Sequence, residues 1–136
     1  MTLEFRIKGM DFSAAGDAAS KIKDVLQRVG MEPALVRRAA VVAFEMELNI
    51  IIHAYQGRLR ASIREDRVGI IAWDRGPGIP DIELAMKEGY STAPEFVREM
   101  GFGAGMGLPN IKKNSDILVI RSKVGRGTFV YSLIKR

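Results

Sequence analysis

Apolar and polar residues alternate along this chain with the two periods that distinguish strands from helices. A period of two over Leu3–Lys8 predicts a half-buried β-strand at the start of the sequence. Helical spacing follows as far as Val29, with Asp11 or Ser13 as the predicted N-cap and Gly30 as the stop. The first part of the chain is therefore predicted to be a strand followed by an amphipathic helix.

A longer helix is predicted from Pro33, a residue favoured in the first helical turn, to about Ala54 or Tyr55. The remaining predicted elements are strands over 59–65 and 68–73, a short helix over 81–87, one or two helical turns within 94–100, a helix over 108–113, and strands over 117–122 and 128–134. This order indicates one α+β domain spanning residues 1–136. We expect a two-layer α/β sandwich, with helices on one face of a mixed, mostly antiparallel sheet.

The composition narrows the class of protein. Apolar residues make up 47% of the 136 positions and charged residues 27%, which is typical of a globular domain. The absence of cysteine excludes disulfides, cysteine-ligated zinc and iron–sulfur clusters. We find no segment with the pattern of a signal peptide or a membrane span, so we expect a soluble cytoplasmic protein without membrane contact.

The net charge of +5 is concentrated at the C-terminal end, where seven basic residues face a single acid over residues 109–136. Such a segment is either a solvated basic face or a surface for phosphate, an acidic protein or nucleic acid. One tryptophan and three tyrosines are few stacking platforms for single-stranded nucleic acid, and argue against that partner.

The second predicted helix carries one polar stripe in an otherwise apolar surface. Glu45, Asn49 and His53 are spaced by four residues and share a face, whereas Glu47 lies roughly 200° around the helix from Glu45. Glu45 and Asn49 either face an opening that holds a cation and a reactive group or form a solvent-facing edge. His53 is interpreted as a packing residue.

Two glycine-rich segments follow. Asp74-Arg75-Gly76-Pro77-Gly78 succeeds a predicted strand and is either a tight turn or a place where backbone approaches a flat ligand closely. An Asp there can accept a hydrogen bond from an exocyclic amine such as that of adenine. The segment from Gly101 to Leu108 has glycine at every second position before a helix, and is either a phosphate-binding loop or a flexible hinge.

Taken together and in this order, these segments resemble the Bergerat-fold ATPases. The shared pattern is E-x-x-x-N on a helix, D-x-G-x-G after a strand, G-x-G-x-G before a helix, and Gly127-Thr128 in the last hairpin. That family includes the ATP-hydrolysing component of DNA gyrase, the MutL mismatch-repair proteins, sensor histidine kinases and the anti-sigma-factor serine kinases. The resemblance covers about Leu35 to the C-terminus.

The resemblance implies bound ATP and Mg²⁺, and a role for each matching residue. Asn49 would ligate Mg²⁺, and Glu45 would orient or deprotonate the attacking hydroxyl. Asp74 would accept a hydrogen bond from the adenine amine. Thr128 and the glycines that follow Asp74 would lie nearby. The residues implied in cofactor binding are Asn49, Asp74, Gly76, Gly78, Gly103, Ala104, Gly105, Met106, Gly107, Leu108 and Thr128.

Chain length favours one branch of that family. At 136 residues we expect no transducer domain. Because His53 is the only histidine and lies within the predicted site helix, we also expect no self-phosphorylation of the sensor-kinase kind. The chain is most similar to the stand-alone anti-sigma kinases and the stressosome switch kinase. It differs from the latter by Ala93–Met100, which lengthen the predicted ATP lid at about 88–104.

The resemblance therefore implies a serine/threonine protein kinase of a partner-switching system. Its partner would be a STAS-type antagonist, a sigma factor or both, and the basic C-terminal segment would help to attract an acidic partner. The alternative is an ATP-dependent anti-sigma or adaptor module that binds its partner without phosphotransfer. Homodimers occur in the family, so the sequence leaves a monomer and a homodimer open.

Overall fold

Five strands form one sheet in the computed structural model, which describes residues 1–99 and 106–136. The strands are β1 (Thr2–Lys8), β2 (Gln56–Arg64), β3 (Arg67–Arg75), β4 (Ile117–Lys123) and β5 (Gly127–Lys135). Their order in the sheet is β1-β2-β3-β5-β4, and all four described pairings are antiparallel. The predicted α+β class is confirmed, with a sheet that is antiparallel at every described pairing.

The helices occupy the positions that the sequence pattern predicts, with small shifts of their ends. They are α1 (Asp17–Arg28), α2 (Pro33–His53), α3 (Ile82–Ala85), α4 (Glu95–Glu99) and α5 (Gly107–Lys113). Pro33 lies in the first turn of α2, as expected. The Asp81 side chain caps α3 by accepting a hydrogen bond from the Leu84 amide at 3.0 Å. No described helix is long and apolar enough to cross a membrane.

The central helix α2 packs against the sheet on one side and against α1 on another. Eleven of its residues are buried, because apolar side chains surround almost its whole circumference. Inward-facing residues of β2, β3 and β5, such as Leu59, Ile70 and Ile134, are fully buried beneath the helical layer. This core holds α2 in place over the sheet.

The opposite face of the sheet carries arginine, aromatic and aliphatic side chains. Arg60 lies over the ring of Trp73, with its guanidinium carbon 5.1 Å from the ring centroid. Glu4 on the neighbouring strand accepts hydrogen bonds from the same arginine. The single tryptophan therefore reports on this outer face and not on the core.

The N-terminus of α1 is capped by a residue that is distant in sequence. The expectation that Asp11 or Ser13 caps it is wrong, because those two side chains bond to each other at 2.7 Å and the helix begins only at Asp17. The cap is Glu47 of α2, which is 2% exposed. Its carboxylate accepts hydrogen bonds from the backbone amides of Gly16, Ala18 and Ala19 at 3.2, 3.2 and 3.0 Å.

This contact gives hydrogen-bond partners both to the first amides of α1 and to the buried carboxylate of Glu47. The first amides of a helix have no partner within the helix, and a buried carboxylate is costly without hydrogen bonds. The positive end of the α1 dipole also favours the negative charge. Burial raises the pKa of Glu47 above its ordinary value of 4.5, and the three amides oppose that increase.

Replacing Glu47 with alanine is expected to lower the free energy of unfolding by about 3 kcal/mol, because two buried amides and one half-buried amide lose their acceptor. Urea unfolding followed by Trp73 fluorescence measures the loss. Glu45→Ala, on the same helix, is the matched control and is expected to cost about 1 kcal/mol or less. Equal losses in the two variants would contradict the capping role.

The pH dependence of stability tests the charge state of Glu47. Because its pKa is higher in the folded protein than the ordinary value of 4.5, the folded state retains a proton that the unfolded chain releases. Stability conferred by Glu47 is therefore greatest at low pH, falls as pH rises from 4.5 through the folded pKa, and is constant above it. We expect the advantage of the wild type over Glu47→Gln to shrink over that window in urea titrations; an advantage that grows instead would mean a lowered pKa.

Candidate functional site

A cavity of about 540 Å³ opens between the C-terminal half of α2, the end of β3, the start of α5 and the start of β5. Its walls are largely apolar, with side chains such as Ile79, Leu108 and Val130. Polar groups reach it from separate elements, so the cavity combines a hydrophobic slot with a few positioned donors and acceptors. That combination is typical of small-molecule sites.

The polar stripe of α2 faces this cavity. Glu45, Asn49 and His53 all line it, since residues four apart lie on one face of a helix. Glu47 is not among the lining residues because it points to α1. His53 is exposed at the end of α2 and lines the opening, so its interpretation as a packing residue is wrong.

Two contacts between α2 and α5 shape one end of the cavity. The Asn110 side chain donates a hydrogen bond from Nδ2 to Oε2 of Glu45 at 2.7 Å. The backbone of Gly107 lies against Asn49, where an added Cβ would be 3.0 Å from Oδ1. Glu45 and Asn49 are each half-buried. This end therefore places a carboxylate and an amide beside the first turn of α5.

Asp74 forms the other polar end. It is the second-last residue of β3, one position further into the strand than the sequence pattern indicates, and it lines the cavity. Its Oδ1 accepts a hydrogen bond from the Thr128 amide at 3.2 Å. Burial raises the pKa of Asp74 above its ordinary value of 3.8, and the Thr128 amide opposes that increase.

Glycines allow the backbones around Asp74 to approach closely. Gly127 has a φ of +152°, and a side chain there would collide with the backbone oxygen of Asp74. Gly78 has a φ of +77° and lines the cavity, while a Cβ on it would lie 2.5 Å from the Lys123 carbonyl oxygen. Gly76 does not line the cavity; it is buried against Ala54. Its position supports the loop and does not contact the space inside.

Ser122 supports the walls of the cavity without lining it, and the sequence pattern did not indicate it. Its hydroxyl accepts a hydrogen bond from the Ile79 amide at 2.7 Å and donates one to the Gly127 carbonyl at 3.0 Å. It also lies 2.9 Å from the hydroxyl of Thr128. Ser122 therefore joins the loop after β3 to the β4–β5 hairpin. No local pattern marks it, because it is one polar residue in an alternating strand.

The predicted phosphate loop is described only in part. Met106, Gly107 and Leu108 line the cavity at the start of α5. Gly103, Ala104 and Gly105 lie outside the described residues, so their predicted role stays a prediction. Backbone amides of the first turn of α5 are nevertheless close to the polar end formed by Glu45 and Asn49.

The segment before that loop is fixed to α2. Helix α4 confirms the predicted helical turns within 94–100. Ala93 and Val97 are buried and form a small separate cluster with Leu48 and Ile52 of α2. Tyr90, Ser91 and Thr92 then line the cavity. The chain that borders the opening is thus anchored through apolar contacts to the helix that bears Glu45 and Asn49.

The geometry fits a purine nucleotide. The apolar cavity is large enough for a nucleotide base, and at one end Asp74 offers a carboxylate acceptor held by the Thr128 backbone amide. Within the described residues, no group of three or more His, Cys, Asp or Glu side chains could hold a metal alone. A divalent cation bound near Asn49 would therefore need ligand oxygens as well, which is how Mg²⁺ is commonly held with phosphates.

Comparison with known proteins agrees with this geometry. The chain matches the family model described as "Histidine kinase-like ATPase domain" over residues 11–132. It is 31% identical over 115 residues to the serine/threonine-protein kinase RsbT of Bacillus subtilis, which covers 82% of this chain and 80% of that protein. It is 32% identical over 135 residues to an anti-sigma F factor of Caldanaerobacter subterraneus, covering 96% of this chain and 89% of that protein.

A solved structure supports the fold alone. A chain of the SiaB-SiaC complex from Pseudomonas aeruginosa superposes with a TM-score of 0.64 at 15% sequence identity, covering 97% of this chain and 88% of that chain. The family model spans far more than half of the sequence, and the resemblance inferred from its motifs is confirmed. The chain belongs to the histidine kinase-like ATPase domain family.

Proposed function

We propose that this protein is a Mg²⁺- and ATP-dependent serine/threonine protein kinase, built as one domain over residues 1–136, that phosphorylates a protein partner. The observation that carries the proposal is the half-buried carboxylate of Glu45 in the same cavity as Asp74. Nucleotide binding alone has no need of a carboxylate at that end. Transfer of a phosphoryl group to a hydroxyl is assisted by a group that accepts the hydroxyl proton, and a carboxylate is such a group.

The nucleotide would be held at both ends of the cavity. Asp74 would accept a hydrogen bond from the adenine amine, with Gly78 beside the base, Thr128 next to it and Gly76 supporting the loop. At the other end, the amides from Gly103 to Leu108 would surround the phosphates, with Ala104, Gly105, Met106 and Gly107 between them. The positions of Gly78, Thr128 and Gly107 on the cavity wall support this assignment.

Asn49 would ligate Mg²⁺ through its amide oxygen. When bound, Mg²⁺ would neutralise charge on the phosphates of ATP. Oxygens of those phosphates would complete the set of Mg²⁺ ligands. The contact between Asn49 and Gly107 supports this role, since it brings the amide oxygen beside the first turn of α5.

Glu45 would act as the catalytic base. Its carboxylate would orient the hydroxyl of a partner serine or threonine and accept its proton, while that oxygen bonds to the γ-phosphorus and ADP departs. Most of the catalytic effect in phosphoryl transfer comes from positioning and charge neutralisation. A rigid helix such as α2, buried on most sides, suits a positioning role.

The partner would be a STAS-type antagonist, a sigma factor or both, and the setting cytoplasmic. The names of the relatives support a protein partner, and the name anti-sigma F factor supports a sigma factor as one candidate. Residues 88–104 would form the ATP lid, and the burial of Ala93 and Val97 would fix its first half to α2. Seven basic residues after position 108 would favour an acidic partner. The proposal also includes a homodimer, because homodimers occur in the family that the sequence resembles.

A second candidate is an ATP-dependent anti-sigma or adaptor module without phosphotransfer. The relatives named anti-sigma F factor favour it, because that name describes binding to a sigma factor. The two candidates share the nucleotide site and differ in what Glu45 does. A wild-type protein that binds its partner but transfers no phosphate to it would favour the second candidate.

Replacing Asp74 with asparagine is expected to weaken ATP binding about 100-fold, since a charged acceptor is lost and an amide donor faces the adenine amine. Isothermal titration calorimetry with ATP, with and without Mg²⁺, measures the effect. Asp66→Asn is the matched control, because Asp66 lies in an exposed turn and pairs with Arg67. Equal ATP affinity in wild type and Asp74→Asn would refute the adenine contact.

Replacing Glu45 with glutamine is expected to reduce γ-phosphate transfer at least about 100-fold while ATP affinity stays within about twofold. Transfer is followed with γ-labelled ATP and purified STAS-domain proteins encoded in the same genome. Glu65→Gln, in the exposed β2–β3 turn, is the control. Undiminished transfer would exclude Glu45 as the base, and partner binding without any transfer by the wild type would favour the second candidate.

A further inference from the structure

The backbone of Asn110 is hydrogen-bonded through both its amide and its carbonyl. It lies in α5, where its amide donates to the Met106 carbonyl at 2.8 Å. Its neighbours in sequence, Pro109 and Ile111, are both buried and anchor α5. Its own carbonyl accepts a hydrogen bond from the Asn114 side chain at 2.8 Å. The side chain of Asn110 therefore extends from a backbone that has little freedom.

The Asn110 side chain is hydrogen-bonded to Glu45. Nδ2 of Asn110 donates to Oε2 of the carboxylate at 2.7 Å, a short hydrogen bond to a group that carries charge when ionised. No residue in the described parts of the chain donates to Oε1 of Glu45. One oxygen is thus fixed by the protein, and the other is left to the cavity that Glu45 lines.

The same short helix also touches the second polar residue of the stripe. Gly107 begins α5 and packs against the Asn49 side chain, three residues before Asn110 reaches Glu45. A shift of α5 would therefore move the contacts of Glu45 and Asn49 together. Amides at the start of this helix are those assigned above to the phosphates.

We propose that Asn110 is a positioning residue, which fixes the Glu45 carboxylate so that Oε1 is directed at the hydroxyl to be phosphorylated. Because Asn110 belongs to α5, it also links this orientation to the start of that helix, where the phosphates are proposed to bind. The proposal rests on the proposed kinase function. Asn110 makes the amide hydrogen bond, and Glu45 takes the proton. A carboxylate without that bond rotates freely, and fewer of its orientations are productive.

Two substitutions of Asn110 separate this role from simple packing. Asn110→Ala removes the donor and is expected to lower kcat for transfer about tenfold, with the Michaelis constant for ATP within about twofold of the wild type. Asn110→Asp has nearly the same shape but places a second carboxylate beside Glu45, and is expected to lower kcat further than alanine does. A purely structural Asn110 predicts the reverse order, with aspartate tolerated better than alanine.

Gln27→Ala is the matched control, since it removes a side-chain amide that is exposed on α1 and is not among the residues lining the cavity. Its kcat is expected to match the wild type. Thermal unfolding and ATP calorimetry of each variant show whether it folds and binds nucleotide. Where Asn110→Asp unfolds, the test is the difference in kcat between Asn110→Ala and Gln27→Ala, and equal kcat in those two variants overturns the positioning role.

The result can be told apart from failure of the proposed function. If the wild type transfers no phosphate to any STAS-domain protein tested while it binds ATP, the kinase assignment fails. If the wild type transfers phosphate and Asn110→Ala does so at the same kcat, the assignment stands and the positioning role is overturned.

Discussion

Three hydrogen bonds from the start of α1 to the Glu47 carboxylate determine how α2 is rotated, and the site depends on that rotation. A helix that is apolar on nearly all sides gains from burial in many orientations, because hydrophobic burial is not directional. Hydrogen bonds to backbone amides are directional. With Glu47 fixed toward α1, helical geometry turns Glu45 and Asn49 away from it and into the cavity. One structural carboxylate thereby orients a second that is available for chemistry.

The two ends of the cavity are built by different means. The end at Asp74 depends on strand register: Trp73 pairs with Phe129, so the next residues along, Asp74 and Thr128, meet. Ser122 then ties the hairpin to the loop that follows β3. The end at Glu45 depends on packing between α2 and α5 instead. A ligand that fills the cavity would therefore contact both the sheet and the helical layer, and its binding would be sensitive to how closely those layers approach.

The carboxylates of α2 and β3 are held by different kinds of hydrogen-bond donor. Glu47 and Asp74 lie in surroundings that raise their pKa values, and each is compensated by backbone amides. Glu45 is half-buried and bonded to a side-chain amide on a neighbouring helix. Its environment thus combines access to the cavity with a fixed orientation, which is what a base for phosphoryl transfer requires. The anchored segment at Ala93 and Val97 borders the same opening and adds a boundary that a partner would have to meet.

Local sequence patterns were sufficient to predict the elements, the fold class and the candidate chemistry. Period-two and helical patterns are local, and Glu45 and Asn49 share a face because any α-helix places residues four apart together. The Asp74 turn and the glycine-rich segment carried the family resemblance. The cap of α1 and the contact between Asn110 and Glu45 were decided only by tertiary structure. Their partners are 28 to 31 and 65 residues apart, and such contacts leave no periodic signal because they depend on how whole layers pack. The role of Ser122 could not be predicted for the same reason. Its hydroxyl reaches its hydrogen-bond partners only where the β4–β5 hairpin packs against the loop after β3.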